Sequence, residues 1–160
     1  IARFERNSIE IRIIDIQETP FADIAIAAAV IGAVRMMAEE RFCSLHEQKS
    51  WQTAPLKEIF LRTIKDGENA IIDDSDFLSA MGLNRVCSAG QLWGYLVEKL
   101  QEYDKQWITP FLPALDLIRI YGTLSSRILR VLGEKPGLEQ IIKTYRAMSK
   151  SLLTGSIFRS

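Results

Sequence analysis

The sequence predicts a mainly α fold, a bundle of five or six helices preceded by one or two N-terminal strand segments. Three observations carry this. From about residue 18 onward, apolar residues recur at intervals of three and four, the period of a helix with one buried face. Prolines stand near the starts of these stretches and glycines after their ends. Only the stretch SIEIRIIDIQETPF, Ser8 to Phe21, alternates with the period of a strand. No unit of 20–50 residues repeats, which excludes a solenoid, and the short punctuation implies antiparallel neighbours.

The first element is the strand. It places Ile9, Ile11 and Ile13 on one face, toward the first helix, and sends Glu10 and Arg12 to the other. Thr19 then caps, and Pro20 opens, a helix expected to run to about His46. Its run IAIAAAVIGAV, Ile24 to Val34, is apolar nearly all round, so Ile24, Ala28 and Ile31 are expected inside. Eleven such residues fall short of the ~20 that span a bilayer.

A second helix begins near Thr53 or Ala54, ahead of Pro55, with Leu56, Ile59, Phe60 and Ile64 on its stripe and Gly67 beyond its end. Ile71 and Ile72 read as an extended connector, and Asp74 or Ser75 as the cap of a short helix ending at Gly82. From Ser88, Leu92, Leu96, Leu100, Tyr103 and Trp107 form a sustained stripe, and the aromatics from Trp93 to Trp107 are read as core. A fifth helix is expected from Thr109 and Pro110 to Gly133, and a sixth from about Pro136 to Leu153. The stripe of the sixth is Leu138, Ile141, Ile142, Tyr145, Met148 and Leu152.

Length and composition set the class. The 160 residues, 48% hydrophobic and 25% charged, suit one domain with one core: residues 1–17 as strand segment and 18–160 as helical region. Twenty basic residues balance twenty acidic ones, which argues against a nucleic-acid or anionic-membrane surface. Two cysteines, Cys43 and Cys87, without a CxxC pair and without a secretory leader, point to a reduced, cytoplasmic protein. The chain opens at Ile1, and IARFERN leads directly into a strand that has no obvious partner, so it reads as a piece of a longer polypeptide.

Glu10 and Arg12 are the candidates for chemistry. On one strand face their Cβ atoms stand about 6–7 Å apart, close enough to address one polyphosphate and its metal. A carboxylate is a hard ligand for Mg²⁺, and a guanidinium matches phosphate oxygens. The same spacing also describes an ordinary surface ion pair. Cys43 and His46, with Glu39 or Glu47, lack the further ligands of a tetrahedral metal site. GTLSSR, Gly122 to Arg127, lacks phosphate-loop spacing, and its small residues suit close packing inside a helix. Arg3 and Arg6 flank the strand and read as solvated or ion-paired.

The stretch IEIRIIDIQETPF resembles the late strand of the glutamate–cysteine ligase and carboxylate–amine ligase superfamily, which reads Glu-x-Arg-x-x-Asp followed by a Pro-Phe helix start. Here those positions are Glu10, Arg12 and Asp15, then Pro20 and Phe21. ADIAIAAAVIGAV, the segment ending DGENAII, and GTLSSRILRVLG resemble the helices that follow it, so the likeness spans about residues 3–133. The resemblance implies that the strand belongs to an antiparallel catalytic sheet. It also implies a reaction in which ATP and Mg²⁺ phosphorylate a carboxylate, glutamate in the named family, and an amine such as cysteine attacks the acyl phosphate. Glu10 would then match a metal ligand. Arg12 would match the catalytic guanidinium that binds the phosphorylated carboxylate, and Asp15 a residue behind them. The remaining acidic residues, the ATP contacts and most of the sheet lie upstream in that family and outside these 160 residues, so the piece alone is expected to be inactive. The other expectation is a non-catalytic helical regulatory or interaction domain.

Overall fold

The computed structural model describes residues 2–158, and its architecture is mainly helical, as the periodicity predicts. Helix α1 spans Pro20–Ala38, with Thr19 Oγ1 accepting the Ala22 amide at 3.2 Å and Pro20 in the first turn. Its packed face is small: Ala22, Ala25, Ala28, Ala29, Gly32, Ala33 and Met36 are buried. Small residues let the crossing helix come close. A Cβ built on Gly32 would stand 2.5 Å from Leu100 Cδ2, so glycine is needed there for backbone and leucine to meet.

The large residues of α1 face the other way. Ile24 and Ile31 are 54% and 56% exposed, contrary to the sequence expectation, while Ala28 is buried as expected. A helix apolar on both sides offers two faces, and close approach to the helices over Ala89–Tyr103 and Leu112–Tyr121 selects the one with the smaller side chains. The whole helix is 19 residues long with a mean hydropathy of 1.8, long and apolar enough to cross a bilayer by length and composition. It ends at Ala38 rather than near His46, because Glu40 takes a left-handed φ of 57° and Ser44 starts α2, Leu45–Ser50, with a reciprocal Ser44–Glu47 capping box. Cys43 therefore lies in the break between α1 and α2, and His46 in α2, rather than both on one helix.

Helix α3, Thr53–Asp66, leads to a short antiparallel pair, β3 (Ile71–Ile72) with β4 (Cys87–Ser88), enclosing α4, Ser75–Ala80. Asp74 caps α4. Helix α5, Ala89–Tyr103, unites two buried clusters along the predicted stripe. Leu92 and Leu96 meet Ile59, Ile72, Leu78 and Cys87, whereas Leu100 meets Ala29, Met36 and Ile108. On α3 only Ile59 of the expected stripe is buried; Leu56, Phe60 and Ile64 are exposed. Trp93 and Trp107 are likewise too exposed to count as core.

The expected fifth helix is divided. After α6 (Lys105–Ile108) and a 3-10 turn, α7 spans Leu112–Tyr121, and α8, Leu124–Leu132, starts afresh from the Thr123 cap. Gly122, at φ 85°, makes the break. GTLSSR thus straddles a helix boundary instead of lying within a helix. Helix α9, Leu138–Thr154, buries Thr144 and Ser151 rather than Leu138, Ile142, Tyr145 and Leu152. The two hydroxyls bond back to the carbonyls of Gln140 and Ala147, which satisfies them away from water.

Candidate functional site

At the N-terminal end, β1 (Ala2–Arg3) pairs antiparallel with β2 (Ser8–Ile9), Ala2 opposite Ile9 and Arg3 opposite Ser8. A 3-10 turn, Phe4–Arg6, joins them through Asn7 in the left-handed region, which asparagine tolerates. Residues 10–17 continue without joining a strand ladder among the described residues. The strand predicted from Ser8 onward within residues 1–17 therefore contracts to Ser8–Ile9. Its isoleucines do not meet α1: Ile9 and Ile13 are 65% and 59% exposed, and Ile11 is exposed too. A strand holds its register only against a partner, and these residues have none of sufficient length to hold one.

The predicted pair is nevertheless together. Arg12 Nε donates to Glu10 Oε1 at 2.8 Å, and Arg3 Nε donates to Glu10 Oε2 at 2.7 Å. The sequence reading placed Arg3 only as a flanking cation; the β1–β2 register brings it to the same carboxylate. The hydrogen bond from Arg12, then that from Arg3, holds the Glu10 carboxyl below its ordinary range. Glu10 is half-buried and Arg12 exposed. Each guanidinium uses Nε for these bonds, so the terminal amino groups are not spent on Glu10. One hard oxygen donor between two guanidinium groups fits the edge of a metal–polyphosphate site. The remaining ligands would come from elsewhere, since no group of three or more His, Cys, Asp or Glu gathers among the described residues. Asp15 is exposed and takes part in neither bond; its carbonyl accepts from Gln17 Nε2 at 2.9 Å.

A second Glu–Arg centre escaped the sequence reading. Glu18, immediately before the α1 cap, and Arg127, on α8, are 0% and 1% exposed at their side chains. Arg127 Nη1 donates to Glu18 Oε1 at 2.6 Å and Nη2 to Oε2 at 3.4 Å, a two-pronged contact. Arg127 Nε donates to the Gly122 carbonyl at 3.2 Å, and Nη1 also reaches the Phe158 carbonyl. The Phe158 amide closes the ring by donating to Glu18 Oε1 at 3.1 Å. A trace of this was present in the sequence: Arg127 interrupts the apolar spacing of Leu124, Ile128 and Val131, a position that faces inward. Its partner lies 109 residues away, and no local pattern points to it.

Beside this centre, Thr123 Oγ1 donates to Glu68 Oε2 at 3.0 Å. Burial pushes the Glu68 carboxyl up, but hydrogen bonds from Ser126, its own backbone and Thr123 outweigh it and hold the group below its ordinary range. Elsewhere, burial raises the thiols of Cys43 and Cys87, both free. A cavity of about 60 Å³ between α1 and α5, lined by Gly32, Arg35, Leu100, Tyr103 and Trp107, is far smaller than the roughly 300 Å³ at which ligand pockets begin. Comparison with protein-family models, with curated proteins and with solved structures finds no match.

Proposed function

We propose that this chain is the C-terminal portion of a cytoplasmic, ATP- and Mg²⁺-dependent ligase that joins a carboxylate, glutamate, to an amine, cysteine, through an acyl phosphate. The observation that carries the reading is the Arg3–Glu10–Arg12 cluster at the head of an extended segment. Its alternate isoleucines lie in water, and among the described residues its backbone joins no ladder beyond Ile9. Exposed alternating isoleucines suit a strand that lies inside a sheet completed by further chain.

In this reading the substrate carboxylate attacks the γ-phosphorus of ATP and ADP leaves. The amine then attacks the acyl carbon, and inorganic phosphate departs as the amide forms. Little covalent work falls to the protein in such a transfer; placing charge around the phosphoryl oxygens is the main contribution. Arg12 would meet the phosphorylated carboxylate, Glu10 would supply one oxygen to Mg²⁺, and Arg3, bonded to Glu10, would keep it ionised and aimed.

The test is ADP release by the full-length protein carrying this chain, with carboxylate, amine, ATP and Mg²⁺ present. Glu10→Gln shifts the Mg²⁺ dependence to higher concentration, because an amide is a poorer ligand for a hard dication. Arg12→Lys lowers kcat by up to about 100- to 1,000-fold, the range for losing one donor to developing charge, with a smaller effect on KM for ATP. Wild-type rates in both variants reduce the cluster to a surface ion pair. They would favour the second reading, a helical interaction domain, for which the exposed apolar side of α1, Phe21, Ile24, Ile31 and Val34, speaks.

A further inference from the structure

Taking a carboxylate and a guanidinium out of water costs more than their attraction returns unless every donor and acceptor is met, and a well-packed apolar pair often holds a fold equally well. The Glu18–Arg127 centre comes close to that condition: each of its side-chain nitrogens and oxygens has a partner, and no buried side-chain nitrogen or oxygen is unpartnered among the described residues. Its special property is therefore direction. A planar fork closes only at one height and angle, and here it closes on the residue that ends the segment carrying Glu10 and Arg12. The adjoining Gln17 amide donates to Asp23 Oδ1 at 2.8 Å, so Gln17, Glu18 and the Thr19 cap form one continuous anchor on α1. Upstream of it, among the described residues, the chain joins no ladder until Ile9.

We infer that Glu18 and Arg127, completed by the main chain of Phe158, are positioning residues that set the course of residues 10–17 and hence the placement of Glu10 and Arg12. The catalytic consequence rests on the ligase reading above; the geometry does not. The fork gathers three separate parts of the chain at this anchor: the head of α1, the start of α8 and the segment after α9. Phe158 serves with both its amide and its carbonyl, so the C-terminal segment is part of the device.

The test compares the full-length protein with its Glu18→Met/Arg127→Met double variant. An apolar pair removes the fork without leaving a lone buried charge, but it takes the partners from the Phe158 amide and from the Phe158 and Gly122 carbonyls, so the thermal midpoint falls, and by less than in Arg127→Met alone. Hydrogen exchange at the Gln17 amide, whose acceptor Asp23 is untouched, is expected to accelerate about tenfold or more. The ADP assay is expected to show kcat down about 10- to 100-fold with KM for ATP within about twofold, as displaced catalytic groups behave. A folded double variant with wild-type Gln17 exchange and wild-type kcat overturns the inference. Should the double variant fail to fold, Arg127→Lys, which keeps the charge but loses the fork, decides on the same Gln17 amide: acceleration supports the inference and a wild-type rate overturns it. If the wild type itself forms no ADP, the ligase reading fails, while Gln17 exchange still decides the positioning role.

Discussion

Two Glu–Arg contacts of nearly equal length do opposite things in this molecule. Glu10–Arg12 closes at 2.8 Å between residues two apart, with side chains 35% and 59% exposed; Glu18–Arg127 closes at 2.6 Å across 109 residues with both side chains out of water. Distance does not distinguish them; solvent does. In water a pair of charges attracts weakly and exchanges partners freely. Out of water the same pair becomes an obligatory unit, because either member alone is a stranded charge. In the proposed reading the first contact serves chemistry and the second holds the chain that presents it.

The largest expected effect breaks the buried contact from one side. Arg127→Met alone strands the Glu18 carboxylate and is expected to destabilise the fold by about 3–5 kcal/mol in chemical denaturation. Recovery of most of that loss in the double variant would show that the stranded charge, not lost packing, is responsible. Next comes Gly122→Ala. Its carbonyl serves Arg127, its φ is 85°, and an added Cβ would stand 2.6 Å from Glu68 Oε1. A cost of about 1–3 kcal/mol is expected from backbone strain, read as a lower denaturation midpoint with an unchanged slope.

The smallest effect belongs to the exposed pair. Glu10→Ala is expected to leave the thermal midpoint unchanged, and an easily measured loss would mean the two pairs differ less than their exposure implies. Acid sharpens the contrast. Because Arg12 and Arg3 depress the folded-state pKa of Glu10, its ion pairs are present above the ordinary carboxylate range and are lost as pH falls below it. Nuclear magnetic resonance shifts of the Arg3 and Arg12 Nε–H groups should therefore hold constant from neutral pH through the ordinary carboxylate range and move below it. Movement that starts near neutral pH would contradict the assigned bonds.

Particular residues show how much of this was legible. Thr19, Pro20 and Asp74 act as caps or openers as their types predict, since capping is decided within four residues. Leu92, Leu96 and Leu100 are buried as their spacing predicts. Ile24 and Ile31 mislead because hydrophobicity says that a side chain prefers cover, not which neighbour is near enough to cover it. Gly122 misleads because a glycine within a periodic stretch is tolerated as often as it breaks one. Glu10 and Arg12 were found because they are adjacent; Arg3 needed the β1–β2 register, and Glu18 with Arg127 needed the whole fold.

What the amino-acid order determined by itself is local: the helical class, the caps, the α5 stripe and the meeting of Glu10 with Arg12, all set by contacts between residues a few positions apart. Tertiary structure decided which side of α1 is covered, where the 109–133 stretch breaks, and that Glu18 meets Arg127 and Phe158. The reason is physical. Local contacts close with little loss of chain entropy and are nearly independent of the rest, whereas the burial of a charge depends on a partner that only the assembled fold brings within reach.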